Sequence, residues 1–175
     1  TSTLDDWPAV SRWYWELSQP RLDATVPEMA ATVAKLTAGA ADRDERIRRL
    51  FTFVSQQIRY MGITDEAVAP GYEPHDVSMT FTNRYGVCRD KAALLVSLLR
   101  LAGIEAFPVL IHAGAKLDPD VPLPYFNHAI VAAARDPAAG AAPDAAPYVL
   151  MDPTDENARD LLPSYLCNRS YLVAT

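Results

Sequence analysis

The chain contains, at residues 85–91, the motif Tyr85-Gly86-Val87-Cys88-Arg89-Asp90-Lys91, which runs directly into an apolar segment at residues 92–102. Apolar residues recur there at helical spacing and Gly103 follows as a natural cap, so the pattern predicts a helix that starts at the cysteine. A helix N-terminus offers free N–H groups and about half a positive charge, which stabilise an anion and lower the pKa of a thiol. Cys88 therefore stands where a nucleophile can be prepared.

Three amphipathic helices are predicted before this motif. The first follows Asp6, a good N-cap, and the second covers about residues 27–39. The third covers about residues 42–59 and has the most regular apolar stripe. Between residues 60 and 84, glycine and proline interrupt the pattern, which predicts a long irregular segment of the kind that often has a function.

The second half of the chain changes to strand periodicity. Strands are predicted at residues 104–112, 127–134 and 148–152, and residues 172–174 could add an edge strand. Residues 135–147 are rich in alanine, proline and glycine, which indicates a surface hairpin loop. Helices first and an antiparallel sheet second predict an α+β fold.

Candidates for thiol catalysis occur in this order along the chain: Cys88, then His128 in the second strand, then Asp152 at the end of the third. Such catalysis needs a nucleophile, a base and a group that orients the base. Antiparallel pairing of the two strands can place His128 and Asp152 side by side. Each residue alone has a structural interpretation, as a buried thiol, a core histidine or a turn former, so only their combination is specific.

Residues 84–106 resemble the nucleophile region of the transglutaminase-like superfamily, which has papain-like topology. Asn127-His128-Ala129 and Met151-Asp152-Pro153-Thr154 resemble its histidine and aspartate motifs. The resemblance implies a papain-like transglutaminase core with N-terminal helices and a nucleophile helix packed on an antiparallel β-sheet. It also implies Cys88 as nucleophile, His128 as general base and acid, and Asp152 as the residue that orients His128.

Two positions depart from the usual pattern of that superfamily. Val87 stands where relatives have an acidic or polar residue, so it is a candidate for altering the approach of substrate to the thiol. Arg89 stands where many relatives have lysine. In relatives an upstream aromatic residue helps to hold the oxyanion, and Tyr60 fits that place best, beside the Cys88 backbone N–H.

A narrower resemblance concerns residues 57–63, Pro74 and Leu162-Pro163, which are similar to bacterial secreted proteins in which this core follows an N-terminal β domain. It implies a periplasmic or extracellular location and flanking β domains in a longer parent protein. Coverage begins near residue 42, so we expect one core domain over residues 1–175, with residues 1–41 as a helical lead-in. The start at Thr1 favours an excised domain or a processed product.

Composition limits the partners of this chain. Of its 175 residues 50% are hydrophobic, which suits one globular domain, and the formal net charge is −6. An acidic chain argues against nucleic acid or an anionic membrane surface as the partner, because both require clustered lysine and arginine. No apolar run reaches the roughly 18 residues that span a bilayer. A peptide or protein substrate is the expected partner.

The two cysteines match no disulfide scaffold and no Cys-x-x-Cys motif. A bridge between Cys88 and Cys167 stays open, although it would abolish the nucleophile, and Cys167 is expected to be an inert packed thiol. Zinc is the metal to consider, because cysteine, histidine and aspartate can all bind it. The three candidates have no closely spaced chelating pair, so we expect neither a metal nor another cofactor.

Three further polar residues are assigned structural roles. His75 is expected to lie on the surface or to stabilise a loop, and His112 to lie exposed at a strand end. Asp90 suits the first turn of its helix and is expected to pair with Lys91 or with a loop donor.

The expected reaction is cysteine-dependent acyl transfer on an amide bond through a thioester. Water as the second nucleophile makes the protein a peptidase or amidase, and an amine makes it a transglutaminase. The bacterial resemblance favours hydrolysis. The alternative from another class is a binding or scaffold module that has kept the fold without turnover.

Overall fold

The computed structural model describes residues 4–61, 71–136 and 146–175. The helices are α1 (Trp7–Asp23), α2 (Pro27–Thr37), α3 (Arg43–Gln57), α4 (Val77–Asn83) and α5 (Cys88–Leu101). The strands are β1 (Arg59–Tyr60), β2 (Tyr85–Gly86), β3 (Ala106–Ile111), β4 (His128–Ala134), β5 (Tyr148–Met151) and β6 (Tyr171–Val173), with a short 3₁₀ helix at Ser164–Leu166. None of the described helices is long and apolar enough to cross a bilayer.

The first three helices confirm the sequence prediction. Asp6 caps α1 by accepting a hydrogen bond from the Ala9 N–H at 2.7 Å, and Asp42 caps α3 through the Glu45 N–H at 2.8 Å. Helix α3 ends at Gln57, before the predicted residue 59. The helix stops there because the Arg59 N–H donates to the Arg84 carbonyl at 2.8 Å and not to a carbonyl of α3. This hydrogen bond begins the parallel pairing of β1 with β2.

The segment predicted as irregular, residues 60–84, is partly regular. It contains α4, whose Val77, Thr80 and Phe81 are buried. Seven residues make too few turns to show a clear helical period, which is why the sequence did not reveal this helix. Residues 62–70 of that segment lie outside the described residues.

Helix α5 is the central element. All its residues from Asp90 to Leu99 are buried, and it packs against all four other helices and against β3 and β4. The apolar segment predicted from the sequence is not the whole of the buried surface, since the polar residues Asp90, Lys91 and Ser97 are also buried. The Ser97 hydroxyl donates to the Leu22 carbonyl at 2.8 Å, so its burial carries a hydrogen bond.

The main sheet has the strand order β5-β4-β3-β6 and is antiparallel throughout. The α+β prediction is confirmed, and β6 lies at the edge as expected. One face of β4 contributes Ala129, Val131 and Ala133 to the main core, together with α5. Ile130 and Ala132 belong to a smaller cluster with Leu166. Of the predicted hairpin loop between β4 and β5, residues 137–145 lie outside the described residues.

Candidate active site

The structure brings the three candidate catalytic residues together from three elements. Cys88 is the first residue of α5, His128 is the first residue of β4, and Asp152 directly follows β5. The His128 Nε2 atom lies 2.9 Å from Asp152 Oδ2. The Cys88 thiol and the His128 ring line the same cavity, and each shifts the pKa of the other. Because Nε2 faces the carboxylate, Nδ1 is the ring nitrogen left for the sulfur.

Strand register explains how His128 and Asp152 meet. Val131 pairs with Met151, so the alternation places Asp152 opposite Ile130. His128 lies two residues before Ile130 on β4, so the side chains of His128 and Asp152 meet diagonally and not directly across the ladder. A diagonal pair suits this site, since the long imidazole reaches along the strand to a short carboxylate.

Asp152 is held in one orientation by the residues that follow it. Its side chain is fully buried, and Oδ1 accepts hydrogen bonds from the Thr154 N–H at 3.1 Å and the Thr154 hydroxyl at 2.7 Å. Oδ2 is therefore directed at His128. Burial opposes the charge, but the hydrogen bonds to His128 and Thr154 outweigh it and lower the pKa of Asp152.

The surroundings of the thiol and the imidazole favour the charged pair, a thiolate and an imidazolium, over the two neutral groups. Burial disfavours the charged ring, yet hydrogen bonds to Asp152 and Cys88 raise the pKa of His128 to about 9. Burial likewise disfavours the thiolate, but the hydrogen bond and the charge of His128 lower the pKa of Cys88. The pair titrates as a unit, with a thiolate and an imidazolium between its two macroscopic pKa values. The shifts therefore favour the thiolate, which is the nucleophilic form of the thiol.

Backbone groups around the sulfur add to this effect. Hydrogen bonds from the backbone of Ala129 and Arg89 also lower the pKa of Cys88. The Arg89 N–H belongs to the first turn of α5, where N–H groups have no partner within the helix. The predicted helix start at the cysteine is confirmed.

Asp90 organises the approach to the nucleophile. Its Oδ2 accepts the Val87 N–H at 3.0 Å, and its Oδ1 accepts the His75 N–H at 2.9 Å and lies 3.2 Å from the His75 ring. The predicted loop partner is confirmed, and His75 is a loop-stabilising residue. Since the Val87 N–H is engaged, Val87 can influence a substrate only through its half-buried side chain.

Gly86 is required by close packing beside this carboxylate. A Cβ atom at Gly86 would lie 2.6 Å from the Asp90 Cβ, which is closer than real Cβ contacts. The glycine therefore lets β2 pass directly over the first turn of α5.

Tyr60 lies where an oxyanion donor would be needed. Parallel pairing of β1 with β2 sets Tyr60 opposite Gly86, two residues before Cys88, so the phenol lies beside the Cys88 backbone. Burial, and then the charges of Cys88 and Asp152, raise the pKa of Tyr60, so its hydroxyl keeps its proton at neutral pH. The residue is 44% exposed and can be reached by a substrate.

A cavity of about 260 Å³ opens beside the thiol and the imidazole. Its other walls are mainly apolar or aromatic and include Tyr72 and Phe126. The Tyr72 hydroxyl donates to the Phe126 carbonyl at 2.7 Å, which ties these two walls together. The cavity can receive a substrate group next to the sulfur.

Some site features were missed or mispredicted from the sequence. Burial and then the charge of Asp152 raise the pKa of Tyr165, and no motif or spacing distinguishes this lone tyrosine. Cys167 is exposed and not packed, because it follows the surface 3₁₀ helix, and both cysteines are free. His112 is partly buried, with its Nδ1 atom inaccessible, and not simply exposed.

Among the described residues, no group of three or more histidine, cysteine, aspartate or glutamate side chains could hold a metal ion.

The profile of the transglutaminase-like superfamily matches residues 30–121, more than half of the chain, and the chain belongs to this superfamily. The matched range includes Tyr60 and Cys88 and ends before His128 and Asp152.

Two solved structures are similar to this one. A proposed protease from Parabacteroides distasonis has a TM-score of 0.59 and 20% identity, over 75% of this chain and 25% of its own. A proposed cysteine protease from Cytophaga hutchinsonii has a TM-score of 0.55 and 18% identity, over 90% of this chain and 45% of its own. At these identities the likeness shows the fold, and this chain spans less than half the length of either protein. No curated protein matches the sequence.

Proposed function

We propose that this protein is a cysteine peptidase or amidase that hydrolyses an amide bond through a thioester at Cys88. The observation that carries the proposal is the 2.9 Å contact between His128 Nε2 and Asp152 Oδ2, with the ring and the Cys88 thiol lining the same cavity. A nucleophile, a base and an orienting carboxylate in this chain of contacts are the parts that thiol catalysis needs.

The geometry supports a two-step reaction. The Cys88 thiolate attacks the amide carbonyl carbon, and the Cys88 N–H and the Tyr60 hydroxyl stabilise the oxyanion. The His128 imidazolium protonates the amide nitrogen, the C–N bond breaks and an amine leaves. The neutral imidazole then takes a proton from water, whose oxygen attacks the thioester and releases the acid and the thiolate.

The similar structures agree with hydrolysis as the outcome. One is described as a proposed protease and the other as a proposed cysteine protease. Both proteins are much longer than this chain, so their whole activities extend to it only as part of this proposal.

The proposal is tested by the reactivity of the thiol. At pH 6 we expect iodoacetamide to alkylate Cys88 much faster than Cys167, the exposed thiol of the same molecule, because only Cys88 has a histidine partner. The His128→Ala variant is expected to lose that excess. Peptide mass spectrometry after timed quenching measures both rates in one sample.

Cys167 serves as the matched control, since it meets the same reagent under the same conditions. Equal rates at the two cysteines, or an excess at Cys88 that survives His128→Ala, would contradict the proposed nucleophile.

A further inference from the structure

Lys91 is buried more completely than lysine normally is. It has 0% of its surface exposed, although lysine is among the residues least often fully buried. Its Nζ donates to the Ile58 carbonyl at 2.6 Å and to the Ser55 carbonyl at 3.2 Å. Burial of an ammonium group costs several kcal/mol unless it is compensated, so this arrangement needs a physical reason.

The two acceptors lie at the C-terminal end of α3. Carbonyls there have no partner within the helix and carry the negative end of its dipole. The Arg59 N–H, which could have continued the helix, donates to Arg84 instead, and the last turn of α3 contains no basic residue of its own. Lys91 supplies the missing donors and the missing positive charge from α5.

The segment that Lys91 holds leads directly to Tyr60. Ile58 is the C-cap of α3, and β1 follows it at once. The Tyr60 N–H donates to Glu156 Oε1 at 3.1 Å. The short segment at residues 58–60 is therefore held by a carbonyl contact to Lys91 at one end and by an N–H contact to Glu156 at the other.

The charge of the same glutamate also acts on the buried lysine. Burial lowers the pKa of Lys91 to about 8, and the charge of Glu156 is the largest influence opposing that fall, followed by those of Asp152 and Asp155. Glu156 follows Asp152 along the chain by only four residues. Lys91 on α5 and Glu156 in the loop after Asp152 therefore both contact the segment at residues 58–60.

We propose that Lys91 and Glu156 are positioning residues that fix residues 58–60 so that the Tyr60 hydroxyl stays beside the Cys88 N–H, where the oxyanion forms. This inference rests on the proposed function. Lys91 lies three residues after Cys88 on α5. One rigid helix therefore carries the nucleophile and holds the strand of its oxyanion donor, which matters because a misplacement of about 1 Å can cost about 10²-fold in rate.

Two reactions of Cys88 separate positioning from general structural support. Alkylation by iodoacetamide needs the thiolate but forms no oxyanion. Acetylation by p-nitrophenyl acetate passes through a tetrahedral oxyanion: the sulfur bonds to the carbonyl carbon, and p-nitrophenolate leaves with the electron pair of the broken C–O bond. Both are measured in a Cys167→Ser background, by mass spectrometry and by nitrophenolate absorbance.

We expect Lys91→Met to lower the acetylation rate constant by at least about tenfold, approaching the roughly 10²–10³-fold that loss of one oxyanion donor costs, while the alkylation rate stays within about twofold. Tyr60→Phe is expected to behave in the same way. The double variant should lose little beyond either single variant, because both changes remove the same donor. Lys35→Met, an exposed lysine on α2, is the matched control and should leave both rates unchanged.

If Lys91→Met does not fold, variants of Glu156 test the positioning role instead. Glu156 is exposed, so its variants are expected to fold. Glu156→Ala should reduce acetylation selectively, and Glu156→Gln, which keeps an acceptor for the Tyr60 N–H, should restore most of it. Additive losses in the double variant, equal loss of both reactions, or wild-type acetylation in these variants would overturn the inference. Wild-type protein inert to both reagents would overturn the proposed function itself.

Discussion

At the scale of single residues, the properties of the site depend on how each ionisable group is partnered. Asp152 has one oxygen held by Thr154 and the other turned to His128, and the ring in turn contacts Cys88. The carboxylate thereby stabilises the imidazolium, and the imidazolium stabilises the thiolate. Residue identity and order were readable from the sequence, but Tyr165 was not, because its contact with Asp152 exists only through the fold.

Asp152→Asn tests the electrostatic part of this arrangement. The carboxylate raises the pKa of His128, so its removal should lower the pKa of His128 and raise that of Cys88. The rise of the alkylation rate with pH, which follows ionisation of the Cys88 thiol, should then move to higher pH. A rise of about one unit in the thiol pKa lowers the thiolate fraction at pH 6 by about tenfold.

The measurement is the iodoacetamide rate at Cys88 from pH 5 to pH 10. Asp44→Asn, the same substitution at an exposed position of α3, should leave the profile unchanged. An unaltered profile in Asp152→Asn would show that the carboxylate does not set the charge of the pair.

At the scale of elements, the site depends on how closely β2 approaches α5. The Asp90 carboxylate accepts hydrogen bonds from the Val87 and His75 N–H groups. Gly86 has no side chain, which leaves space for this carboxylate. The sequence predicted the central helix and its starting residue. It did not predict that this helix would be buried on all sides, because helical period alone cannot show a polar residue paired inside a core.

Gly86→Ala is expected to disturb this contact. The added methyl would overlap Asp90, so we expect a loss of about 1–3 kcal/mol in the free energy of unfolding, as for other overpacked sites. The first turn of α5 should shift as well, which would slow alkylation of Cys88 at pH 6. Urea unfolding and timed alkylation measure the two effects.

Gly103→Ala provides the comparison at the other end of the same helix. Its φ of +75° strains an alanine, but no atom lies within 4 Å of the new Cβ. This variant should lose stability while Cys88 keeps its reactivity. Equal alkylation in both variants would argue against a role of Gly86 in placing the nucleophile.

At the scale of the whole molecule, the identity of the second nucleophile decides which reaction the proposed enzyme catalyses. Casein and glutaminyl peptides, incubated with and without a primary amine, distinguish the outcomes by product mass. We expect cleavage products that gain the mass of water, as hydrolysis through a thioester requires. The Cys88→Ser variant is the control for contaminating activity, and products that gain the mass of the amine would overturn hydrolysis in favour of transglutamination.

Local patterns were sufficient for helices α1, α2, α3 and α5, for the strands of the main sheet, for the α+β class and for Cys88, His128 and Asp152 as candidates, because caps, periodicity and motif order are properties of neighbouring residues. The transglutaminase-like core is confirmed, whereas the flanking β domain and the periplasmic or extracellular location stay predictions of the resemblance. Long-range packing determined the rest. It formed α4 against the core, brought Tyr60 beside Cys88 through β1 and β2, and buried Lys91 under the end of α3. Such features form only when segments distant in sequence pack against each other and exclude water, so no local pattern predicts them.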